Sequence, residues 1–194
     1  SGDTSRMHEV AAGAVKNGVW EKPSQRPLNF VHGLPSRNFP DPHAFEGVAR
    51  AVEALQRHGR ACLPAMQQEA ILELEAAVAS EGLQAPNGGR WTYSRVNLTG
   101  FSDNVHPTAY SLLKRVQKES GVTIIAAGVS TIQPGAFIRP HCGPTNACWD
   151  LHLGLLVPEP EAYQLVVDGE GRRWGEGEVL LFDDSYVHEV QHSG

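Results

Sequence analysis

Hydrophobic positions in the first half of the chain recur at helical spacing, and in the second half they alternate in short runs. Residues 42–57 place Phe45, Val48, Ala49, Val52 and Leu55 on one stripe, with Arg50, Glu53 and Arg57 elsewhere on the wheel, which predicts a helix. Asp41 and Pro42 supply a cap and a first-turn proline, and His58-Gly59 is expected to end the element. A second helix is predicted from Pro64 to Ser80, with Ile71, Leu72, Leu74 and Val78 inward and Gly82 after it. Both read as packing helices. Pro86-Asn87-Gly88-Gly89 is a loop. Trp91 to Leu98 reads as extended, with Trp91, Tyr93, Arg95 and Asn97 on one face. His106-Pro107 opens a short helix through Val116, striped by Leu112, Leu113 and Val116.

From Gly121 the pattern becomes strand-like, in runs at 122–132, 135–141, 147–157, 162–168, 172–174, 178–182 and 186–191. Turn residues separate them, and Asp168-Gly169 is a hairpin signal. Short strands with such turns predict a sandwich or jelly roll. The expected fold is mainly β: a single domain over 1–194, in which 1–120 is helical support and leading segment and 121–194 is the β core.

Composition sharpens this reading. The chain has 194 residues, 41% of them hydrophobic and 20% charged, as in an ordinary folded protein. Its 20 glycines and 13 prolines fit a turn-rich β core. A formal charge of −6 argues against nucleic acid or an anionic membrane as partner, since both require a basic patch. No run reaches the length of a spanning helix and no signal peptide is visible, so a cytoplasmic location is the default expectation. Ser1-Gly2 reads as a cloning scar, with an earlier segment expected to have been removed. Three cysteines, Cys62, Cys142 and Cys148, are too few and too scattered for a disulfide scaffold.

Candidate chemistry gathers on histidines. Of nine, His141, His152 and His188 fall on strands or strand ends of the predicted β core. Alternation sends Leu151, Leu153 and Leu155 to the hydrophobic layer and His152 to the other face. A jelly roll that brings one histidine from an early strand and one from a late strand to its mouth is an iron(II) arrangement, commonly completed by a carboxylate in H-x-D. Here that position is Gly143, so the metal would have two protein ligands. Two other readings are weaker. Zinc on His141, Cys142, Cys148 and His152 lacks close cysteine pairs. A Ser185–His188–Asp184 hydrolase lacks a nucleophile elbow.

Residues 134–157 (PGAFIRPHCGPTNACWDLHLGLLV) and 174–190 (WGEGEVLLFDDSYVHEV) resemble the aspartyl/asparaginyl β-hydroxylase family, and 26–42 (RPLNFVHGLPSRNFPDP) resembles its leading segment. The resemblance implies a double-stranded β-helix, cupin-like core and an iron(II)- and 2-oxoglutarate-dependent dioxygenase that uses O2. It implies His141 and His188 as iron ligands and Gly143 as the glycine replacing the usual acid. It further implies His152 and Ser130 as contacts of 2-oxoglutarate, and Asp184 as an acid ordering water beside the metal.

Departures from the family pattern bear on the substrate. Cys148 and Asp150 stand where the family carries two arginines for the cosubstrate and an acidic substrate, and Gly128 stands at a substrate-pocket lysine. The arginine expected on the distal carboxylate lies farther beyond the second histidine than this chain runs, so a final strand is expected to be missing and the native chain to be longer. Asp150 suits an amine or guanidinium, unless Arg139 or Arg95 pairs with it. Trp91, Tyr93 and Arg95 are candidates for the pocket entrance, and Trp149 and Trp174 read as packing. The expected function is therefore hydroxylation of an unactivated C–H of a small amino-acid-like or natural-product substrate. The alternatives are a peptidyl aspartyl/asparaginyl hydroxylase, a 2-oxoglutarate-independent iron oxygenase, a halogenase admitting chloride at Gly143, or a degenerate cupin-like binding module.

Overall fold

The computed structural model describes residues 4–81, 91–100 and 102–192. Among them lie three helices, α1 (Thr4–Lys16), α2 (Glu46–Glu81) and α3 (Pro107–Ser120), and eight strands. The strands are β1 (Trp91–Arg95), β2 (Gly128–Ile132), β3 (Phe137–His141), β4 (Asp150–Leu153), β5 (Tyr163–Val167), β6 (Glu170–Arg172), β7 (Val179–Phe182) and β8 (His188–His192). They form three antiparallel sheets, β1-β2, β3-β8-β5-β6 and β4-β7. Helix outweighs strand, 36% to 24%, and no closed barrel forms among the described residues. The expectation of a mainly β chain is thus corrected to a mixed fold of helices on antiparallel sheets.

The two helices predicted over 42–57 and 64–80 are one, α2, which runs through both His58-Gly59 and Pro64. Gly59 does not end it; it makes room for a neighbour. A Cβ at Gly59 would stand 2.6 Å from Leu153 Cδ2, so the glycine lets β4 approach the helix closely. Asp41 caps a short 3₁₀ turn, Pro42–Ala44, through the His43 N–H, and α2 begins only at Glu46. α3 continues past Val116 to Ser120 and ends on Gly121 at φ 76°. α1 escapes the sequence reading, and Pro86–Gly89 lies outside the described residues. Residues 122–127 are not strand, and the 172–174 run shifts to 170–172. The predicted hairpin is present: Asp168 and Gly169 have φ 51° and 80° between β5 and β6.

Alternation along β4 and β7 splits the molecule into two cores. Leu151, Leu153 and Val179 pack with Leu155 against Ala51, Ala54, Leu55, Met66, Leu112 and Val116 of α2 and α3. Register pairs Asp150 with Phe182 and His152 with Leu180, and these four share the opposite face. There Phe182 joins Phe39, Leu165, Val167, Tyr186 and Val190 in the second core, flanked by Ile132, Ile138, Trp174 and Leu180. Gln67 Nε2 donates to the Leu155 carbonyl at 2.7 Å, and Arg60 Nε donates to the Gly177 carbonyl at 2.9 Å, tying α2 to this middle sheet. No helix among the described residues is long and apolar enough to cross a membrane.

Candidate functional site

β3 and β8 pair antiparallel with an irregularity between Ile138 and His141 that brings His141 directly opposite His188. Their ring centroids are 4.1 Å apart, with planes tilted by 52°. His141 Nδ1 lies 2.8 Å from the Arg139 carbonyl oxygen, and His188 Nδ1 lies 2.9 Å from that of Tyr186. A carbonyl only accepts, so each Nδ1 carries a proton, and the neutral tautomer of each ring is the one with its lone pair on Nε2. Burial pushes the His188 pKa down, with His141 acting in the same direction, so this imidazole is neutral at pH 7.

Behind the pair, the loops that carry it are strapped by residues 24–38. Gln25 bridges Tyr186, Arg26 N–H donates to Ser185 O, and Val187 N–H donates to Ser24 O. Asn146, 4% exposed, accepts from the Val31 N–H and donates to the Val31 carbonyl, so its amide stands in for a strand partner. Ser185 is fully buried and its hydroxyl donates to Asp183, while His188 Nδ1 is taken by Tyr186. That arrangement removes the hydrolase reading.

Gly143 carries its position's meaning in space. A Cβ there would lie 1.7 Å from Asp184 Oδ2, and the Gly143 N–H donates to the Asp184 carbonyl at 2.7 Å. The Asp184 carboxylate therefore fills the place into which an H-x-D side chain would grow. Its Oδ1 is buried without a hydrogen-bond partner. Burial, then the Asp150 and Asp183 carboxylates, push the Asp184 carboxyl up to about 7. Folding of the metal-free chain should register this. Between the ordinary value of 3.8 and about 7 the folded state holds more protons than the unfolded state. The stability from protonated Asp184 is full below that window and lost as pH rises through it. Asp184→Asn is expected to remove the dependence. The difference in urea unfolding free energy between variant and wild type should change by on the order of 3 kcal/mol from pH 4.5 to 8. His188 and His152, both lowered by burial, act oppositely in both proteins and cancel in that difference.

His152 lies one ring further in. Phe182 packs edge-on against both His152 (4.9 Å) and His188 (5.6 Å). Trp174, which reads as packing in the sequence, donates its indole N–H to His152 Nδ1 at 3.3 Å. No residue spacing signals that contact, because Trp174 meets His152 only through the β4–β7 pairing. Trp149 does pack, against Phe45. Asp150 shares the face of His152, and its carboxylate takes part in no side-chain hydrogen bond or ion pair among the described residues. Arg139 lies over the Phe137 ring, and Arg95 is exposed without an ion pair, so neither partners Asp150.

Ser130 sits on the separate β1-β2 ribbon, opposite Tyr93, and Arg95 lies opposite Gly128. Ile132, on the Ser130 face, packs against the Phe182 core. Trp91 Nε1–H donates to Ser130 Oγ at 2.8 Å, leaving the hydroxyl proton of Ser130 available. The Tyr93 ring covers Gly128: a Cβ there would lie 2.4 Å from Tyr93 Cζ and 2.6 Å from the Ser94 carbonyl oxygen. Gly128→Lys is accordingly expected to destabilise the fold by about 2 kcal/mol, read as a fall in Tm of roughly 5 °C.

Among the described residues no group of three or more His, Cys, Asp or Glu is placed to hold a metal, which sets aside the zinc reading of Cys142 and Cys148. The structure brings together His141, His188, Gly143 and Asp184, and sets His152 and Asp150 on the neighbouring face; Ser130 and Arg95 remain on the ribbon.

Compared with known proteins, residues 69–194 match the family model described as aspartyl/asparaginyl beta-hydroxylase. The chain is 29% identical over 185 residues to mouse aspartyl/asparaginyl beta-hydroxylase, covering 90% of this chain and 24% of that protein. It is 45% identical over 89 residues to mouse aspartate beta-hydroxylase domain-containing protein 1, covering 45% of this chain and 24% of that protein. Mouse aspartate beta-hydroxylase domain-containing protein 2 matches at 42% over 89 residues, 45% of this chain and 25% of that protein. The chain thus spans about a quarter of the length of these relatives.

Proposed function

The chain belongs to the aspartyl/asparaginyl beta-hydroxylase family, and from that premise we propose that it hydroxylates the β-carbon of an aspartyl or asparaginyl residue in a polypeptide, with iron(II), 2-oxoglutarate and O2. The observation that carries this reading is the facing pair His141 and His188, each with Nδ1 tied to a carbonyl two residues upstream and Nε2 free. Two imidazoles held in this orientation suit a divalent first-row metal. The surroundings fit in a further respect: the space at Gly143 is filled by a buried carboxylate whose Oδ1 has no hydrogen-bond partner among the described residues, and water accompanying a metal would satisfy it. When bound, the iron supplies oxygen activation coupled to decarboxylation of the keto acid, so that one oxygen atom enters the C–H bond and the other enters succinate.

The protein's own part is positioning and exclusion of water. His141 and His188 would hold the metal. Gly143 supplies no side-chain ligand, and Asp184, which fills the space beside it, would accept a hydrogen bond from water held next to the metal. Ser130, its oxygen engaged by Trp91, would donate to the distal carboxylate of 2-oxoglutarate. Phe182, edge-on against both His188 and His152, gives the site an apolar side. The double-stranded β-helix expected of the family is part of this proposal.

The aspartyl/asparaginyl names of the family and of the mouse and human relatives favour a residue in a polypeptide over the small amine-like molecule expected from the sequence. Within that class, the acidic face formed by Asp150 and Asp184 favours asparaginyl over aspartyl substrates. The test is mass spectrometry of paired peptides differing only in Asn or Asp, incubated with iron(II), 2-oxoglutarate and oxygen. One added oxygen, dependent on both iron and 2-oxoglutarate, is the expected result. Turnover without the keto acid would support a 2-oxoglutarate-independent oxygenase, chlorinated product a halogenase, oxidation confined to free amines the small-molecule reading, and no iron binding a binding module.

A further inference from the structure

We propose that Trp174 is a positioning residue: its indole N–H locks His152 as the Nε2–H tautomer, so that His152 meets a carboxylate of the keto acid as a hydrogen-bond donor. This rests on the function proposed above. A neutral imidazole has one N–H and one lone pair, and the partner of one nitrogen decides the state of the other. At His141 and His188 the Nδ1 partner is a carbonyl oxygen, which can only accept. At His152 it is an indole N–H, which can only donate. Nδ1 of His152 therefore carries the lone pair and Nε2 the proton. One site thus contains two tautomers, each set by a neighbour of opposite hydrogen-bonding sense.

The surroundings support a fixed ring. The His152 and Trp174 planes lie within 16° of one another, with centroids 6.0 Å apart. Phe182 closes on His152 edge-on at 79°. Trp174 and Phe182 both belong to the core on this side of β4 and β7, so the ring is held from two directions. Burial lowers the His152 pKa, outweighing the opposing pull of Asp150, and keeps the ring neutral.

The lock also separates His152 from the metal pair. Ligation through Nε2 would need the proton on Nδ1, facing the indole N–H, and two donors would then point at each other in a desolvated space. His152 is thereby reserved for an anion. A carboxylate is the anion that this chemistry brings to the metal, and the arginine that the family uses nearby is absent here, which leaves a neutral donor in that role.

The test uses the whole chain with ¹⁵N-labelled histidine and tryptophan. In the metal-free wild type, two-bond ¹H–¹⁵N correlations should show His152 protonated at Nε2, with a scalar coupling across the hydrogen bond between Trp174 Nε1 and His152 Nδ1. Trp174→Phe should give a tautomer mixture and weaken 2-oxoglutarate binding roughly tenfold, while anaerobic iron(II) affinity stays as in the wild type. Protonation at Nδ1 in the wild type, or unchanged 2-oxoglutarate affinity in Trp174→Phe, overturns the proposal. Should Trp174→Phe fail to fold, the wild type decides: a shift of the His152 Nε2–H signal on adding 2-oxoglutarate to the iron-loaded or zinc-loaded protein supports the proposal, and an unmoved signal overturns it. A wild type that binds no 2-oxoglutarate, with the tautomer as stated, overturns the proposed function and the carboxylate partner and leaves the lock itself standing.

Discussion

Replacing His188 with alanine is expected to lower iron(II) affinity and peptide hydroxylation together by at least about a hundredfold, beyond the usual cost of losing a supporting partner. His141→Ala should do the same, because the two imidazoles face one another across β3 and β8 with each Nδ1 tied to a carbonyl. The two variants should differ in stability. His188 is 7% exposed and packed edge-on against Phe182, whereas His141 is exposed. Removing the buried ring leaves a cavity beside the second core and should cost about 2 kcal/mol, while His141→Ala should cost little. Anaerobic calorimetric titration with iron(II) and urea unfolding of the same preparations separate the two effects. Full iron affinity in a folded His141→Ala protein would sink the two-histidine site.

How much of this site was legible without coordinates depends on whether the signal was local. Strand alternation sends Leu151, Leu153 and Leu155 to a hydrophobic layer and His152 to the other face, and the structure has this split because β4 lies between two cores, α2 and α3 supplying the first. The Asp168-Gly169 turn was equally local. The helix boundaries were not. Gly59 carries the signature of a helix end, and only the approach of Leu153 reveals it as a contact residue. The balance between helix and strand shows the same limit: the run 122–132 is rich in Val and Ile, yet among the described residues only Gly128–Ile132 finds a partner strand, β1. Trp174 shows the same limit at the site, since its bond to His152 spans 22 residues of sequence and depends on register.

The vacant acid position in H-x-G invites an obvious repair, and the structure predicts that the repair fails. Gly143→Asp, which writes the common H-x-D ligand motif back into the chain, should destabilise the protein and add no iron affinity. The Cβ alone would lie 1.7 Å from Asp184 Oδ2 and 2.2 Å from Asp184 Cγ. Asp184 has little freedom to retreat: its carbonyl is held by the Gly143 N–H, and the preceding Asp183 N–H is held by the Asn38 carbonyl. Gly143→Ala isolates the steric component and is expected to cost about 3 kcal/mol, a fall in Tm of roughly 9 °C. Asp184→Gly should cost little at pH 7, because it discards a carboxyl that burial already holds up at about 7. The double variant Gly143→Ala/Asp184→Gly should recover most of the loss, giving a coupling energy of about 2 kcal/mol or more. Additive losses would mean that Asp184 moves aside at no cost and that the glycine serves some other purpose. If the coupling is found, Gly143→Asp combined with Asp184→Gly becomes the informative ligand test. The carboxylate would then reach the shared space from the turn after β3 rather than from the turn before β8, and a gain in iron affinity confined to that double variant would establish that one volume beside Gly143 admits one carboxylate, whichever turn supplies it.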